Sequence, residues 1–256
     1  MPFSQPGKTL RFWRIFRRNS GRTIIVALDH GRRHGPIPGI ENFRATVSKI
    51  VDCGSADALM MTPAMLERVA DLVAGRVGIV ARIDGTGSKK GPDETDDRLI
   101  SSVERALSLG ADAVSVMVYI GGDTTADNLE KLSRVAEEAY YLGVPVLAEV
   151  IPTPPGLPDK YSWTAVAYAS RVAVEMGADI IKTFYTGEGF EKVVKSVPAP
   201  IVILGGPKRE KVSEVLDDVK KAVEAGAKGI AFGRNIFQHE EPCQLLKSLE
   251  EIVHKK

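Results

Sequence analysis

Four times in this chain a short phrase recurs in which a glycine precedes the opening of a strand. The copies are Cys53-Gly54-Ser55-Ala56-Asp57, Leu109-Gly110-Ala111-Asp112-Ala113, Met176-Gly177-Ala178-Asp179-Ile180 and Ala225-Gly226-Ala227-Lys228-Gly229. Each puts a glycine helix terminator directly ahead of an apolar run. A chain punctuated in this way alternates helix with strand, and strands joined through helices run parallel.

The remaining segments fill in the same rhythm. Apolar, β-branched runs predict strands over 23–28, 58–61, 78–83, 113–118, 145–151, 201–204 and 229–232, with one more through Ile180-Ile181-Lys182-Thr183. Helical patterns cover 42–51, about 63–73, 97–109, 126–142, a stretch ending at Met176, 190–196, one closing at Gly226 and a last one ending near Val253. Turns are short between helix and following strand, whereas the longer polar loops all follow strands. Eight strands and eight helices in this order predict a single (β/α)8 TIM barrel over 1–256, with its site at the C-terminal ends of the strands. An open doubly wound sheet is the alternative, but no Gly-x-Gly-x-x-Gly follows the first strand. Leu10 to Phe16, with Arg11, Arg14, Arg17 and Arg18, predicts a short basic amphipathic helix covering one end of the barrel.

Composition narrows the function classes. A length of 256 residues suits one barrel, and a net charge of +1 with mixed signs gives no reason to expect nucleic acid. No apolar stretch is long enough to span a bilayer, so no membrane partner is expected, and Met1 to Pro6 lacks the charged start of an export leader. Cys53 and Cys243 have no metal-ligand spacing, and a reduced cytoplasmic setting is the simplest expectation. Scarce Asn and Gln beside many charged residues hint at a thermophilic source.

The chemistry centres on Lys182. It sits in a strand with apolar residues on both faces, and alternation places Ile180, Lys182 and Phe184 on one side, with Ile181 and Thr183 on the other. Burial disfavours an ammonium and makes the amine a usable nucleophile toward a carbonyl; pairing with a carboxylate is the competing account. Asp29 closes the first strand. Glu149 shares a face with Ile151 on the fifth, where burial raising its pKa would make it an acid/base and a pairing with Lys182 would not. Tyr119 and Tyr185 are further candidates for the proton carrier, and Asp84 is expected as a loop-ordering or substrate-hydroxyl contact. Gly205-Gly206 and Gly233-Arg234 follow strands seven and eight, where barrels hold phosphate with glycine N–H groups and an arginine fork. His30 and His34 lie in a glycine-rich loop and His239 and His254 far away, so no metal is expected, and no other cofactor.

These residues carry a resemblance. Asp29-His30-Gly31, His34-Gly35-Pro36, Gly110-Ala111-Asp112-Ala113-Val114, Gly177 to Thr183 with Tyr185-Thr186-Gly187, Gly205-Gly206-Pro207-Lys208 and Gly233 to Gln238 occur in order. In them the chain resembles the archaeal-type class I fructose-bisphosphate aldolases. That DhnA-like family includes 2-amino-3,7-dideoxy-D-threo-hept-6-ulosonate (ADH) synthases of aromatic amino acid biosynthesis and LsrF-type thiolases. The resemblance implies an aldehyde-lyase acting on a ketose phosphate such as fructose 1,6-bisphosphate. Alternatives are a transaldolase-type ADH synthase, an LsrF-like thiolase, or a barrel that only binds a phosphosugar. It implies Lys182 as Schiff-base lysine, Asp29 as its helper in proton transfer, and Gly205, Gly206, Gly233 and Arg234 as the phosphate clamp. A cytoplasmic homo-oligomer is expected. The departure is on strand five, where the family's Tyr-Pro-Arg-Gly is replaced by Ile151-Pro152-Thr153-Pro154.

Overall fold

The computed structural model describes residues 4–255. Met1, Pro2 and Phe3, part of the segment read as lacking a leader, lie outside them. The strands are β1 (Thr23–Ala27), β2 (Ala58–Met61), β3 (Gly78–Arg82), β4 (Ala113–Ile120), β5 (Val146–Pro152), β6 (Ile180–Thr183), β7 (Ile201–Leu204) and β8 (Gly229–Phe232). They close in chain order into a parallel barrel, β8 pairing back onto β1 with Ile24 opposite Ile230. The expected TIM barrel is the fold found.

The helices are α1 (Pro6–Ile15), α2 (Gly31–His34), α3 (Phe43–Asp52), α4 (Pro63–Leu66), α5 (Ala70–Val73), α6 (Val103–Ser108), α7 (Thr125–Leu142), α8 (Trp163–Glu175), α9 (Phe190–Ser196), α10 (Val212–Glu224), α11 (Arg234–Phe237) and α12 (Pro242–Val253). Strand side chains divide between two apolar layers, as both-face burial requires. Ile24, Val26, Leu59, Val114 and Ile181 pack outward beneath the helices, while Ile25, Met60, Val80, Leu147, Ile180 and Val202 fill the interior. Each such burial contributes roughly 1.5–3 kcal/mol. Below the interior layer Phe12, Ile15 and Phe16 of the N-terminal segment plug the barrel, the two phenyl rings stacked with centroids 4.1 Å apart.

The repeated phrase does more than end helices. Gly54, Gly110, Gly177 and Gly226 all have positive φ, the conformation a glycine terminator supplies. Three copies then place an aspartate whose carboxylate accepts from a backbone N–H in the first two residues of the preceding strand. Asp57 takes Ile24 N at 2.7 Å, Asp112 takes Ile79 N at 3.1 Å and Asp179 takes Val146 N at 2.9 Å. The same carboxylates bind the basic residues of the N-terminal segment: Arg17 on Asp57, Arg14 on Asp112 at 3.2 Å and Lys8 on Asp179 at 2.7 Å. The basic residues of α1 and of the turn after it are thereby matched to the N-terminal end of the barrel.

Several boundaries differ from the sequence expectation. The helix expected over 63–73 is two single turns, α4 and α5. Gly31 to His34, expected as loop, makes the turn α2. The helix expected from residue 97 begins at Val103, behind the cap Ser102, because Asp97 is engaged elsewhere: it accepts from Arg32 at 3.1 Å and from Gly87 N at 2.9 Å. Strand β4 runs on to Ile120 and so takes Tyr119 into the barrel wall. The cysteines, expected free and reduced, are bonded to each other as Cys53–Cys243 with Cα atoms 5.0 Å apart. Folding brings the end of α3 against the start of α12 across 190 residues of sequence, which no local spacing reveals. The pairing removes the cysteine argument for a reducing compartment.

Candidate active site

A cleft of about 380 Å³ opens at the C-terminal ends of the strands, lined by Asp29, Glu149, Lys182, Gly205, Gly206, Gly233 and Arg234. Parallel register explains the convergence. Glu149 pairs with Lys182 across β5 and β6, and both side chains point inward with their Nζ and Oε2 atoms 2.9 Å apart. Lys182 is 4% exposed, as the alternation of its strand predicts.

Arg82 on β3 ties this floor together. It is fully buried, donates from Nε to Asp29 at 2.8 Å, lies 3.5 Å from Asp84 and makes a short contact with Glu149. Asp84 in turn binds Lys131 of α7 at 2.9 Å and the Met117 amide of β4 at 2.7 Å, tying the end of β3 to both elements. Three interior cations, Arg82, Lys131 and Lys182, thus neutralise three carboxylates, Asp29, Asp84 and Glu149. Unpaired, any of these charges would be costly to bury; paired and hydrogen-bonded, the set is tolerated.

The electrostatics follow from that set. Burial acts to raise the Glu149 carboxyl, but Lys182 and then Arg82 overrule it and hold it below the ordinary glutamate range. The expectation that burial would lift Glu149 toward neutrality is therefore not met, because desolvation acts here in the presence of two cations. Asp29 is likewise held ionised against burial, by Arg82 first and then Lys182 and Arg32. His30, beside Asp29, is pushed down to about 4 by burial and is neutral at physiological pH. Tyr119 is raised by burial and keeps its phenol proton.

The opposite wall is built for close approach. A Cβ on Gly233 would collide with the His30 ring and lie 2.7 Å from the Ala27 carbonyl, and Gly206 adopts φ +64°. Asn235 holds the two loops together, donating to the Gly205 carbonyl at 2.7 Å and accepting from Arg209 N at 2.9 Å. Arg234 is partly buried, and its Nε has no hydrogen-bond partner among the described residues. Burial lowers its pKa, so an anion delivered to this wall meets a guanidinium with a donor to spare. On the far rim Arg33 reaches Tyr119 and Asp97, and Lys89 and Lys160 also line the cleft.

Sequence reading passed over Arg82 although the signal was present: an arginine inside an apolar strand meets the same criterion that singled out Lys182. Lys131 and Arg33 gave no such signal, since each sits in a polar helical stretch. Tyr185, weighed as a proton carrier, packs its ring on Phe190 outside the barrel interior, at a centroid distance of 5.2 Å, and does not line the cleft.

Known proteins share the sequence pattern and the fold. A protein-family profile described as DeoC/LacD family aldolase matches residues 23–239. A 2-amino-3,7-dideoxy-D-threo-hept-6-ulosonate synthase of Halobacterium salinarum is 37% identical over 251 residues, covering 97% of this chain and 92% of that one. A 3-hydroxy-5-phosphonooxypentane-2,4-dione thiolase of Yersinia enterocolitica is 33% identical over 249 residues, covering 97% and 83%. Among solved structures, an archaeal fructose-1,6-bisphosphate aldolase superposes with a TM-score of 0.87 at 31% identity, over 96% of this chain and 99% of that one. In that structure the catalytic lysine is covalently bound to the carbinolamine intermediate of its substrate.

Proposed function

We propose that this chain, which belongs to the DeoC/LacD aldolase family, is a cytoplasmic class I aldolase that forms an imine between Lys182 and the ketone of a phosphorylated sugar. The observation that carries the reading is the 2.9 Å contact between Lys182 Nζ and an ionised Glu149 on the floor of a cleft whose wall holds Gly205, Gly206, Gly233 and Arg234. A carboxylate at that distance can take the proton Lys182 must lose before its lone pair attacks carbon.

The steps then balance. The Lys182 nitrogen adds to the ketone carbon, the carbonyl oxygen is protonated, and loss of water leaves a protonated imine. In the cleavage direction the hydroxyl on the far carbon of the bond to be broken gives up its proton. The carbon–carbon bond breaks toward the imine, an aldehyde leaves, and an enamine remains. Protonation of the enamine carbon and hydrolysis return the amine and release the ketone fragment. Asp29, fixed as an anion by Arg82, orients substrate hydroxyls beside the amine. Gly205, Gly206, Gly233 and Arg234 hold the phosphate that anchors the sugar. No metal or cofactor enters this scheme.

A transaldol variant, in which the enamine attacks a second aldehyde instead of being protonated, is favoured as a second reading by the 37% identity to the Halobacterium synthase. We also infer a homo-oligomer, supported by the exposed rings of Tyr140, Tyr141 and Tyr168 on α7 and α8 and readable by sedimentation.

Borohydride trapping with fructose 1,6-bisphosphate, read by intact mass, tests the imine. One adduct is expected on the wild-type chain and none on Lys182→Ala; an adduct that persists in that variant sinks the assignment. Glu149→Gln should slow imine formation about 100-fold or more, and an unchanged rate would show that Glu149 carries no proton.

A further inference from the structure

We propose that Tyr119 is the catalytic acid of the carbon–carbon step, delivering its phenolic proton to the aldehyde oxygen as the new bond forms. The inference rests on the imine chemistry assigned to Lys182 and adds the group that handles the hydroxyl proton.

The aldol step needs a proton-bearing group within reach of the imine but separate from the one that serves the lysine. Glu149 is committed on both sides, to Lys182 at 2.9 Å and to Arg82. Asp29 is held ionised by Arg82 and its neighbours and has no proton to give. The next inward residue on β5 after Glu149 is Ile151, which carries none. Directly across the ladder from Ile151 stands Tyr119 of β4, as Met117 stands across from Glu149. Tyr119 is therefore one layer above the Lys182–Glu149 pair, toward the mouth, and it lines the same cleft.

The phenol is also set up to donate. Arg33 donates to its oxygen in a short hydrogen bond, and the guanidinium lies over the ring at 5.7 Å. Arg33 is itself fixed, by Asp97 at 3.3 Å and by the Glu94 carbonyl at 2.6 Å. With its oxygen accepting from Arg33, the hydroxyl hydrogen is free to point into the cleft. The phenolate left after transfer stays beside a guanidinium that stabilises it. Burial keeps the phenol protonated until a substrate oxygen develops charge. The other candidates are worse placed. Tyr161 is 52% exposed and packs edge-to-face on Phe184 at 4.8 Å, and His30 is neutral against the Gly233 wall.

The step conserves atoms and charge. The enamine carbon bonds to the aldehyde carbon, the carbonyl π pair moves to oxygen, and that oxygen takes the Tyr119 proton. Cleavage is the reverse, the phenolate accepting the hydroxyl proton.

Tyr119→Phe in the full-length protein separates this step from imine formation. With fructose 1,6-bisphosphate as probe, we expect the borohydride adduct at Lys182 to form as in wild type while cleavage turnover falls about 100- to 10,000-fold. Thermal melting of the variant is measured alongside. Cleavage within threefold of wild type overturns the proposal. Loss of the adduct together with cleavage, at an unchanged melting temperature, also overturns it, because Tyr119 would then act before the carbon–carbon step. Absence of an adduct in the wild type is a different failure: it removes the imine reading itself, and this inference with it. If Tyr119→Phe melts early, Arg33→Met provides the second measurement. With the phenol retained, cleavage should fall while the adduct persists, and unchanged cleavage counts against the proposal.

Discussion

Arg82 and Glu149 stand on strands two apart in the barrel, yet their side chains meet beneath the cleft, and the same guanidinium reaches Asp29 at 2.8 Å. One fully buried arginine thus contacts both carboxylates that flank Lys182, holding Asp29 ionised and adding to the larger effect of Lys182 on Glu149. Removing it leaves Asp29, Asp84 and Glu149 short of a cation in a medium that solvates them poorly. Arg82→Met should cost about 3–5 kcal/mol of stability, read from the denaturant midpoint. In whatever folds, Glu149 loses a cation that holds it ionised, so the acid limb of activity should move to higher pH. A midpoint unchanged from wild type would contradict the hub role.

Arg234 offers a buried donor with no partner among the described residues, on the wall where the phosphate is proposed to sit. Arg234→Ala should weaken binding of a ketose phosphate about 10- to 100-fold, the worth of one charge-assisted contact. The KM for fructose 1,6-bisphosphate or competition by inorganic phosphate would read this. Melting should move little, since the Nε has no hydrogen-bond partner to lose among the described residues. Equal KM values for the two proteins would place the phosphate elsewhere.

His30 makes stability pH-dependent with a defined sign. Burial lowers its pKa from an ordinary 6.5 to about 4, so below pH 6.5 the unfolded chain takes up a proton that the folded chain refuses. Stability should therefore be full above pH 6.5 and decline as pH falls, with the His30 share lost by about pH 4. That share is about 3 kcal/mol at most. Asp29 and Glu149, both depressed, add losses in the same direction at still lower pH. Melting curves from pH 7 to pH 4 measure the slope, and His30→Asn should flatten it.

The Cys53–Cys243 bond closes a loop spanning 190 residues between α3 and α12. Constraining so long a loop limits the unfolded chain by about 2–5 kcal/mol. The double variant Cys53→Ser/Cys243→Ser should unfold at correspondingly lower denaturant while keeping its turnover, because neither cysteine lines the cleft. A turnover loss at low temperature, where both proteins are folded, would show that the bond matters to the site as well.

Much of the molecule is legible in one dimension because its determinants are periodic or local. Period-2 alternation is enough to put Lys182 on the inner face, and glycine terminators place strand starts at 58, 113, 180 and 229 to the residue. Gly205-Gly206 after strand seven and Gly233-Arg234 after strand eight mark the wall proposed to hold the phosphate. Where local rules misled, a long-range contact was responsible. Asp97 gives its carboxylate to Arg32, Arg33 and Gly87, so α6 starts six residues late. Cys53 and Cys243 look unrelated until α3 and α12 pack side by side.

The alternation of strand and helix, the inward lysine and the glycine loops were thus determined by the sequence itself, through backbone geometry and hydrophobic patterning. Only the closed barrel decided what surrounds that lysine. Barrel register sets Glu149 level with Lys182 and Tyr119 level with Ile151, and it lets Arg82 reach across two strands to join Lys182 in holding Glu149 ionised. Charge and proton position depend on distances between chain segments far apart in sequence, and those distances exist only once the eight strands have closed.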